Sequence, residues 1–360
     1  MDDAVGDAVN DAVNDVVNDA VNDVVPVIDI GGLSSDDPDK RAAVADAIGA
    51  SCREIGFFQI TGHGIDPQLI DAMYSVSRAF FDQDMPAKRA VAQPNPETIR
   101  GYCAVGEQSF AYSDDLATPP DLHEKFDVGP VDFPTDDPYY APEQAGAHFL
   151  PNQWPATPPD MAEIWTAYFH AMNDLCQRLM SAFATALSLP ADFFADKIDK
   201  DISMLRAINY PHSDVPPLPG QMRAGAHSDY GSLTIVRQEE APGGLQVFTK
   251  DGDWVRVPVV PGALVVNLGD LMAQWTNDAW TSTRHRVANP PAGTGDNRRM
   301  SLVFFHQPNY DALIECIPTC LAPGEQPRYA PVTSGDHLVS KFAKTHSGAT
   351  TGLASVVAGG

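Results

Sequence analysis

The chain has 360 residues, of which 44% are hydrophobic, so it can bury a sizeable core in one large domain or two small ones. Its 48 acidic and 23 basic residues give a formal net charge of -25, which argues against nucleic acid and anionic membrane surfaces as partners. No apolar stretch reaches the length of about 20 residues that a transmembrane helix needs. With nucleic acid and anionic membranes disfavoured by the charge, small molecules are the expected partners.

The five cysteines are scattered along the chain, and no two of them have CxxC spacing. An odd number at such spacing is typical of a reducing compartment rather than of a disulfide framework. The N-terminus also lacks the basic and apolar segments of a secretory signal peptide. The sequence therefore predicts a cytoplasmic protein.

The chain opens on a four-residue repeat, of the type Asp-Ala-Val-Asn, over residues 3–25. The first 25 residues hold seven aspartates and no basic residue. Asp and Asn are poor residues for the interior of a helix. We therefore predict that residues 1–24 are a low-complexity acidic tail without a catalytic role.

The folded body is predicted to begin with a short β-like run at residues 25–30. A helix follows over about residues 40–55, with Asp36 or Asp37 as its cap. Residues 56–60 read as a buried strand, and a second helix covers residues 67–81.

The middle of the chain divides into a loop region and one long helix. Residues 93–160 are rich in Pro, Gly and Asp, so they are predicted to be long ordered loops with little regular structure. Residues 159–187 carry apolar residues at i, i+3 and i+4 spacing, which predicts a helix with one face in the core.

From Ser203 onward, short apolar runs alternate with Pro-Gly, Gly-Gly, Asp-Gly and Asn-Pro turns. This pattern is typical of an antiparallel sandwich or barrel. The predicted fold class is thus α+β, with helices and loops first and a mainly β core after them.

The most informative motif of the β region is His227-Ser228-Asp229. Residues two apart in an extended chain point to the same face, so the imidazole and the carboxylate can reach one point. His285 precedes another short apolar run and supplies a third ligand. Two histidines and one carboxylate form the facial triad of non-haem iron(II) oxygenases, which leaves three metal positions open.

A second HxD copy, His212-Ser213-Asp214, shows that the motif alone is weak. This copy lies in a proline-bounded turn without a strand behind it, and we interpret it as structural or surface-exposed. The apolar run that follows Asp229 favours the copy at 227–229 as the metal site.

Arg299 and Ser301 are also two residues apart, within the apolar run that ends at Phe305. Arginine binds a carboxylate through two parallel hydrogen bonds, and a neighbouring hydroxyl adds a further donor. The pair therefore predicts a buried clamp for a dicarboxylate.

Together these motifs resemble the isopenicillin N synthase-like branch of the 2-oxoglutarate- and iron(II)-dependent dioxygenases. The HxD…H triad matches His227, Asp229 and His285, and the RxS motif matches Arg299 and Ser301. The family's N-terminal signature matches residues 25–29 and 52–64, so the resemblance covers about residues 25–345.

The resemblance implies a distorted double-stranded β-helix, or jelly roll, with flanking N-terminal and central helices. Residues 25–200 would form the helical and loop-rich region, residues 201–345 the catalytic core, and residues 346–360 a C-terminal tail. The family's Asn-Tyr-Tyr-Pro stretch is here Ile208-Asn209-Tyr210-Pro211, so Tyr210 keeps the tyrosine that contacts the co-substrate. Asn267 and Asp270 match a strand-turn of the family and are interpreted as architectural.

The implied reaction uses Fe(II), 2-oxoglutarate and O2, with ascorbate as a supporting reductant, and releases succinate and CO2. A small-molecule metabolite would be hydroxylated, desaturated or cyclised. The alternatives are an isopenicillin N synthase-like oxidase, in which the RxS motif binds the substrate's own carboxylate, and an ethylene-forming type of enzyme. A non-catalytic binding protein and a zinc hydrolase with the same ligands are less favoured.

The sequence does not name the substrate. Arg100 and Arg206 are candidates to receive an acidic substrate, and each is equally interpretable as a partner in a structural ion pair.

Overall fold

The computed structural model describes residues 24–95, 98–107 and 119–342. The acidic repeat up to residue 23 and the tail predicted at residues 346–360 lie outside the described residues. Within them, two β-sheets face each other, and helices cover the outer face of the larger sheet.

The strands are β1 (Val27–Asp29), β2 (Phe57–Thr61), β3 (Gly101–Cys103), β4 (Glu124–Val128), β5 (Met204–Tyr210), β6 (Ala224–His227), β7 (Leu233–Gln238), β8 (Gly244–Phe248), β9 (Trp254–Arg256), β10 (Leu264–Leu268), β11 (His285–Ala288), β12 (Arg299–His306), β13 (Leu313–Ile314) and β14 (Val332–Thr333). The larger sheet has eight strands in the order β1-β2-β10-β7-β12-β5-β4-β3, the smaller sheet has four in the order β6-β11-β8-β9, and β13 pairs with β14. The α-helices that lie wholly within the described residues are α1 (Pro38–Glu54), α2 (Pro67–Phe81), α3 (Met85–Arg89), α4 (Pro142–Ala145), α5 (Met161–Ala186) and α6 (Asp270–Trp275).

The three long helices lie where the sequence predicted them. Helix α1 begins after Asp37, whose side chain accepts a hydrogen bond from the Asp39 amide at 3.0 Å. Helix α5 packs its apolar face against the outer face of β12, and the Phe169 and Phe304 rings meet edge to face at 5.0 Å. Because strand side chains alternate, this packing leaves the other face of β12 directed at the smaller sheet.

The space between the two sheets holds a second set of apolar contacts. Phe57 and Val265 of the large sheet pack with Leu245 and Val247 of the small one. A further cluster joins β5 and β12 to β6 and β11. Two facing sheets, antiparallel except for the parallel pair β1–β2, together with flanking helices confirm the predicted jelly-roll core.

The prediction that residues 93–160 hold little regular structure was wrong in one important respect. Strands β3 and β4 both lie there, and β4 pairs with β5 inside the large sheet. Strand β4 has the sequence Glu-Lys-Phe-Asp-Val and is buried at every position. The strand was not predicted because three of its five buried residues are charged, whereas buried strands are recognised by runs of apolar residues.

Strand β6 was also not predicted, although it ends on His227. Its sequence, Ala-Gly-Ala-His, contains no large apolar residue, so it has no alternation to detect. Among the described residues, no helix combines the length and apolarity needed to cross a membrane.

Two buried histidines should make the stability of the protein depend on pH. Burial lowers the pKa of His123 to about 3 and that of His306 to about 4, whereas an unfolded histidine titrates near pH ~6.5. Below that pH the unfolded state binds protons that the folded state cannot. We therefore expect the free energy of unfolding to fall as the pH falls from about 6.5 to 4, by about 1.4 kcal/mol per pH unit for each histidine.

Urea unfolding at pH 7.5 and pH 5.0 would measure this loss. A His306→Asn variant should show a shallower pH dependence, whereas His212→Asn should not, because His212 is half-exposed. Equal unfolding free energies at the two pH values in the wild type would contradict the expectation.

Candidate active site

Three side chains from the smaller sheet and its adjoining loop converge on one point. His227 ends β6, His285 begins β11, and the two residues are direct partners in the antiparallel register. The His227 and His285 Nε2 atoms lie 3.8 Å and 3.7 Å from Oδ1 of Asp229, which lies in the loop after β6. Among the described residues, these three form the one group whose ligand atoms are suited to hold a metal ion.

Backbone carbonyls fix the ring orientation of the two imidazoles and the nitrogen that carries the proton. The Nδ1 atom of His227 lies 2.7 Å from the Gly225 carbonyl oxygen, and that of His285 lies 3.1 Å from the Thr283 carbonyl oxygen. A carbonyl can only accept a hydrogen bond, so Nδ1 carries the proton in each ring. In the neutral form of each ring, Nε2 therefore carries the lone pair that metal coordination requires, and it faces the Asp229 carboxylate.

The Asp229 carboxylate is buried and held as an anion. Its Oδ2 accepts a hydrogen bond of 2.7 Å from Asn267 Nδ2. Burial alone would raise the pKa of Asp229, but the two histidines and the hydrogen bonds from Asn267 and Thr234 outweigh burial and lower it. For His227, burial lowers the pKa to about 4, and His285 adds to this shift. Asp229 is thus available as an anionic ligand, and His227 as a neutral one, near neutral pH.

The loop that carries Asp229 lies against the start of α6. The Asp270 amide donates to the Asp229 carbonyl at 2.7 Å, and the Gly269 amide donates to the Ser232 carbonyl at 3.2 Å. A Cβ at Gly269 would lie 2.3 Å from the Gly231 carbonyl oxygen, so only glycine permits this approach. The Asp270 side chain is held in turn by Ser282 and Lys341.

On the large sheet, Arg299 is a buried cation that forms no ion pair with any carboxylate among the described residues. Its side chain is 1% exposed. One Nη donates to Ser301 Oγ at 2.6 Å, the other lies 3.4 Å from Gln238 Oε1, and Nε has no hydrogen-bond partner within that part of the chain. An unsatisfied buried donor costs about 1–3 kcal/mol. These donors fit a bound carboxylate, which would accept from Arg299 and from the Ser301 hydroxyl.

Tyr210 lies directly opposite Arg299 in the pairing of β5 with β12. The Arg299 Cζ atom is 5.2 Å from the centre of the Tyr210 ring. Burial raises the pKa of Tyr210, so the phenol keeps its proton. Tyr210 also packs in one apolar cluster with Ala224 and Val287, which lie three and two residues from the two histidines. The Arg299 clamp and the metal ligands therefore share the space between the sheets.

The second HxD copy does not contribute to this group. The Nε2 atom of His212 lies 3.4 Å from Asp214 Oδ1, but the Asp214 side chain is 92% exposed. Both residues lie in the loop between β5 and β6.

Sequence reasoning gave Asn267 only an architectural role, yet its amide contacts the candidate metal carboxylate. The signal was present, because Asn267 is a polar residue inside the otherwise apolar strand β10. Gln238, which contacts Arg299, was not singled out at all. It ends β7, and only the pairing of β7 with β12 brings it to the clamp.

Replacing Asn267 should weaken metal binding without removing a ligand. In Asn267→Ala the Asp229 carboxylate loses the donor that orients it, and we expect the affinity for Fe(II) to fall by about 10- to 100-fold. Anaerobic Fe(II) titration would measure this change. Asn289→Ala, which removes a hydrogen bond to the Gln221 carbonyl in a loop, is the control. Equal affinity of Asn267→Ala and wild type would show that the hydrogen bond is dispensable.

Comparison with known protein families matches two consecutive parts of the chain. Residues 25–157 match the family of the N-terminal region of non-haem dioxygenases in morphine synthesis. Residues 202–308 match the 2OG-Fe(II) oxygenase superfamily. The second match contains all six residues that the sequence analysis assigned to the metal and to the co-substrate.

Individual relatives match over nearly their whole length. The 2-oxoglutarate-Fe(II) type oxidoreductase hxnY of Emericella nidulans is 32% identical, over 89% of this chain and 90% of its own. Validamycin A dioxygenase of Streptomyces hygroscopicus subsp. limoneus is 31% identical, over 88% of this chain and 85% of its own. The crystal structure of a full-length Neurospora crassa protein in complex with alpha-KG and thymine superimposes with a TM-score of 0.77 at 31% identity. The match covers 89% of this chain and 97% of that protein.

The buried Asp229 with two histidines turned toward it, the unsatisfied Arg299 clamp and these full-length matches lead to one conclusion. The chain belongs to the 2-oxoglutarate- and Fe(II)-dependent oxygenase superfamily and is a dioxygenase that needs both groups.

Proposed function

We propose that His227, Asp229 and His285 bind Fe(II), and that Arg299 and Ser301 bind the distal carboxylate of 2-oxoglutarate with Tyr210 beside them. The observation that carries this assignment is the convergence of two imidazole Nε2 atoms on one buried carboxylate oxygen. Two nitrogens and one oxygen on one side of a metal suit Fe(II) and leave further positions for other ligands.

The chain's own residues bind Fe(II) and 2-oxoglutarate, orient them, and exclude water from the site. The proposed ligands carry one negative charge, so Fe(II) bound to them keeps a net positive charge that favours an anionic co-substrate. The Arg299 guanidinium lies in a site closed to solvent, where its attraction for a carboxylate is stronger than in water. The protonated Tyr210 hydroxyl is available as a hydrogen-bond donor next to it.

When bound, Fe(II) and 2-oxoglutarate supply the oxidising chemistry that uses O2, releases succinate and CO2, and oxidises the substrate. We propose that the substrate is a small molecule. This choice is supported by the solved Neurospora crassa relative in complex with alpha-KG and thymine. The dependence of the relatives on 2-oxoglutarate, given in the name of one of them, favours a co-substrate at Arg299 over the substrate's own carboxylate.

The proposed division of the chain follows from the same assignment. Residues 1–24 and 346–360 would be tails, residues 25–200 would support the site, and residues 201–345 would carry it. Each of the six residues proposed to contact Fe(II) or 2-oxoglutarate lies between positions 210 and 301.

Succinate formation from 2-oxoglutarate tests the proposal directly. Purified protein with Fe(II), ascorbate and O2 is incubated with a library of small molecules, and succinate is measured for each compound. His227→Ala should abolish the signal, and His212→Ala, from the second HxD copy, should retain it. Substrate oxidation without succinate would contradict the role of 2-oxoglutarate, and an active His227→Ala variant would contradict the metal assignment.

A further inference from the structure

A second group of buried charges lies on the interior face of the large sheet. In β4 and β5, Lys125 is opposite Ile208 and Asp127 is opposite Arg206. Asp127 is fully buried, with Arg206 Nε 2.5 Å from its Oδ1 and Lys125 Nζ 3.1 Å from its Oδ2. Gln93 Nε2 also donates to Oδ2 at 2.9 Å. We call Lys125, Asp127 and Arg206 the β4–β5 charge cluster.

The β4–β5 charge cluster faces the side of the sheet that carries Tyr210. Arg206, Ile208 and Tyr210 alternate along β5 and therefore share one face. The Arg206 Cζ atom is 5.2 Å from the ring centre of Phe305, which shares a face of β12 with Arg299.

The cluster is distinct in place from the Arg299 clamp. Arg206 lies four residues before Tyr210 on β5, which corresponds to about 13 Å along an extended strand. Lys125 is opposite the midpoint of that distance. Lys125 therefore lies one strand beyond β5, at about 7 Å along the strand direction from the level of Tyr210 and Arg299.

Within the part of the chain that the structure describes, the cluster holds two cations, Lys125 and Arg206, and one anion, Asp127. Lys125 is 2% exposed, and among the described residues its one ion-pair partner is Asp127, which Arg206 already engages. A third cation, Arg100, is also buried, and it donates to the carbonyls of Ile99 and His148 rather than to a carboxylate. Burial of an incompletely paired charge is costly, and a carboxylate brought by a ligand would offset that cost.

The pKa of Lys125 is consistent with this surplus. Burial lowers it first and Arg206 lowers it further, whereas Asp127 raises it. The ammonium form of Lys125 is therefore held by one shared carboxylate, and a second anion would stabilise it.

We propose that the substrate of this enzyme carries a carboxylate, and that Lys125 binds that carboxylate beside the Asp127–Arg206 ion pair. This inference rests on the proposed function, because it places the carboxylate on the oxidised substrate rather than on 2-oxoglutarate. Lys125 is the specificity-determining residue. Asp127 and Arg206 hold each other and keep the Lys125 side chain in place.

Anaerobic titration of the enzyme with Fe(II) and 2-oxoglutarate bound tests the proposal without requiring turnover. Matched pairs of a carboxylic acid and its carboxamide, chosen over a range of sizes and shapes, are added while the visible absorption of the Fe(II)–2-oxoglutarate complex is monitored. We expect the acid to bind about 10- to 100-fold more tightly than its amide in the pairs that perturb the spectrum.

Lys125→Met should remove this preference and leave amide binding unchanged, because methionine fills a similar volume without the charge. Lys125→Arg should retain part of the preference. Lys250→Met is the control, since Lys250 is an exposed partner of Glu54. Thermal unfolding of each variant shows whether it is folded.

Three results would overturn the proposal. The first is tighter binding of the amides, or no binding of any acid in the panel. The second is an unchanged preference for acids in a folded Lys125→Met variant. The third is a Lys125→Met variant whose defect is a raised KM for 2-oxoglutarate, which would assign the cluster to the co-substrate. The first two results leave the proposed function intact if succinate is still formed. The third would instead move the proposed 2-oxoglutarate site away from Arg299, and loss of succinate in the wild type would count against the proposed function itself.

Discussion

An Asp229→Ala variant should lose Fe(II) binding and should form succinate at a rate lower by about 10³-fold or more. Asp229 is the one anionic member of the proposed ligand set, and both histidine Nε2 atoms are directed at its Oδ1. Removal of a residue that only orients a ligand typically costs about 10- to 100-fold in metal affinity or activity, so removal of the charged ligand itself should cost more. Metal content after reconstitution and succinate formation would measure both effects.

The control for this variant is Asp214→Ala, which removes the carboxylate of the second HxD copy. Asp214 is almost fully exposed, so its loss should leave metal content and turnover at the wild-type level. If Asp229→Ala bound Fe(II) with wild-type affinity, the metal would have to be held elsewhere.

An Arg299→Met variant should raise the KM for 2-oxoglutarate by about 100-fold or more. The guanidinium is proposed to make two charge-assisted hydrogen bonds to the distal carboxylate, each worth about 1.5–3 kcal/mol. Methionine would also leave the bound carboxylate without a counter-charge in a buried position. Arg299→Lys should recover only part of the loss, since an ammonium group cannot form the paired contact. Initial rates of succinate formation against 2-oxoglutarate concentration would measure these values.

The neighbouring Arg298 provides a matched control for Arg299→Met. Its side chain points to the other face of the sheet, where it bonds to Asp82 at 2.6 Å and to Asn209 at 3.1 Å. Arg298→Met should therefore leave the KM for 2-oxoglutarate unchanged. If both variants kept the wild-type KM, the co-substrate carboxylate would bind at another cation, and the β4–β5 charge cluster would be the first candidate.

Local sequence patterns located most of the regular structure. Helix α2 was predicted with its observed bounds, and α1 and α5 within two residues of theirs. An aspartate cap indicated the start of α1, and the apolar spacing of α5 repeats with the helical period. Strands β5 and β7–β12 were visible as short apolar runs between turn signals. Strands β4 and β6 were not, because one is built of paired charges and the other of small residues.

The sequence predicted which residues form the candidate site, but not how the fold brings them together. The motifs named His227, Asp229 and His285, and the resemblance to a family joined them to the Arg299 and Ser301 pair. An HxD pattern that occurs twice cannot choose between its copies by composition. That choice needed the strands behind it, and the structure gives the physical reason, since β6 and β11 place His285 directly beside His227.

What the sequence determined by itself was therefore local. It set the periodicity of the helices and strands and the chemical types of the metal and carboxylate ligands. The tertiary structure alone decided which charges neutralise one another, because ion pairing depends on distances between residues far apart in the chain. Among the described residues, it set Asn267 on the Asp229 carboxylate, left Arg299 without an ion pair, and placed Lys125 and Arg206 beside the same carboxylate, that of Asp127. From those contacts come both the proposed co-substrate site and the proposed acidic substrate.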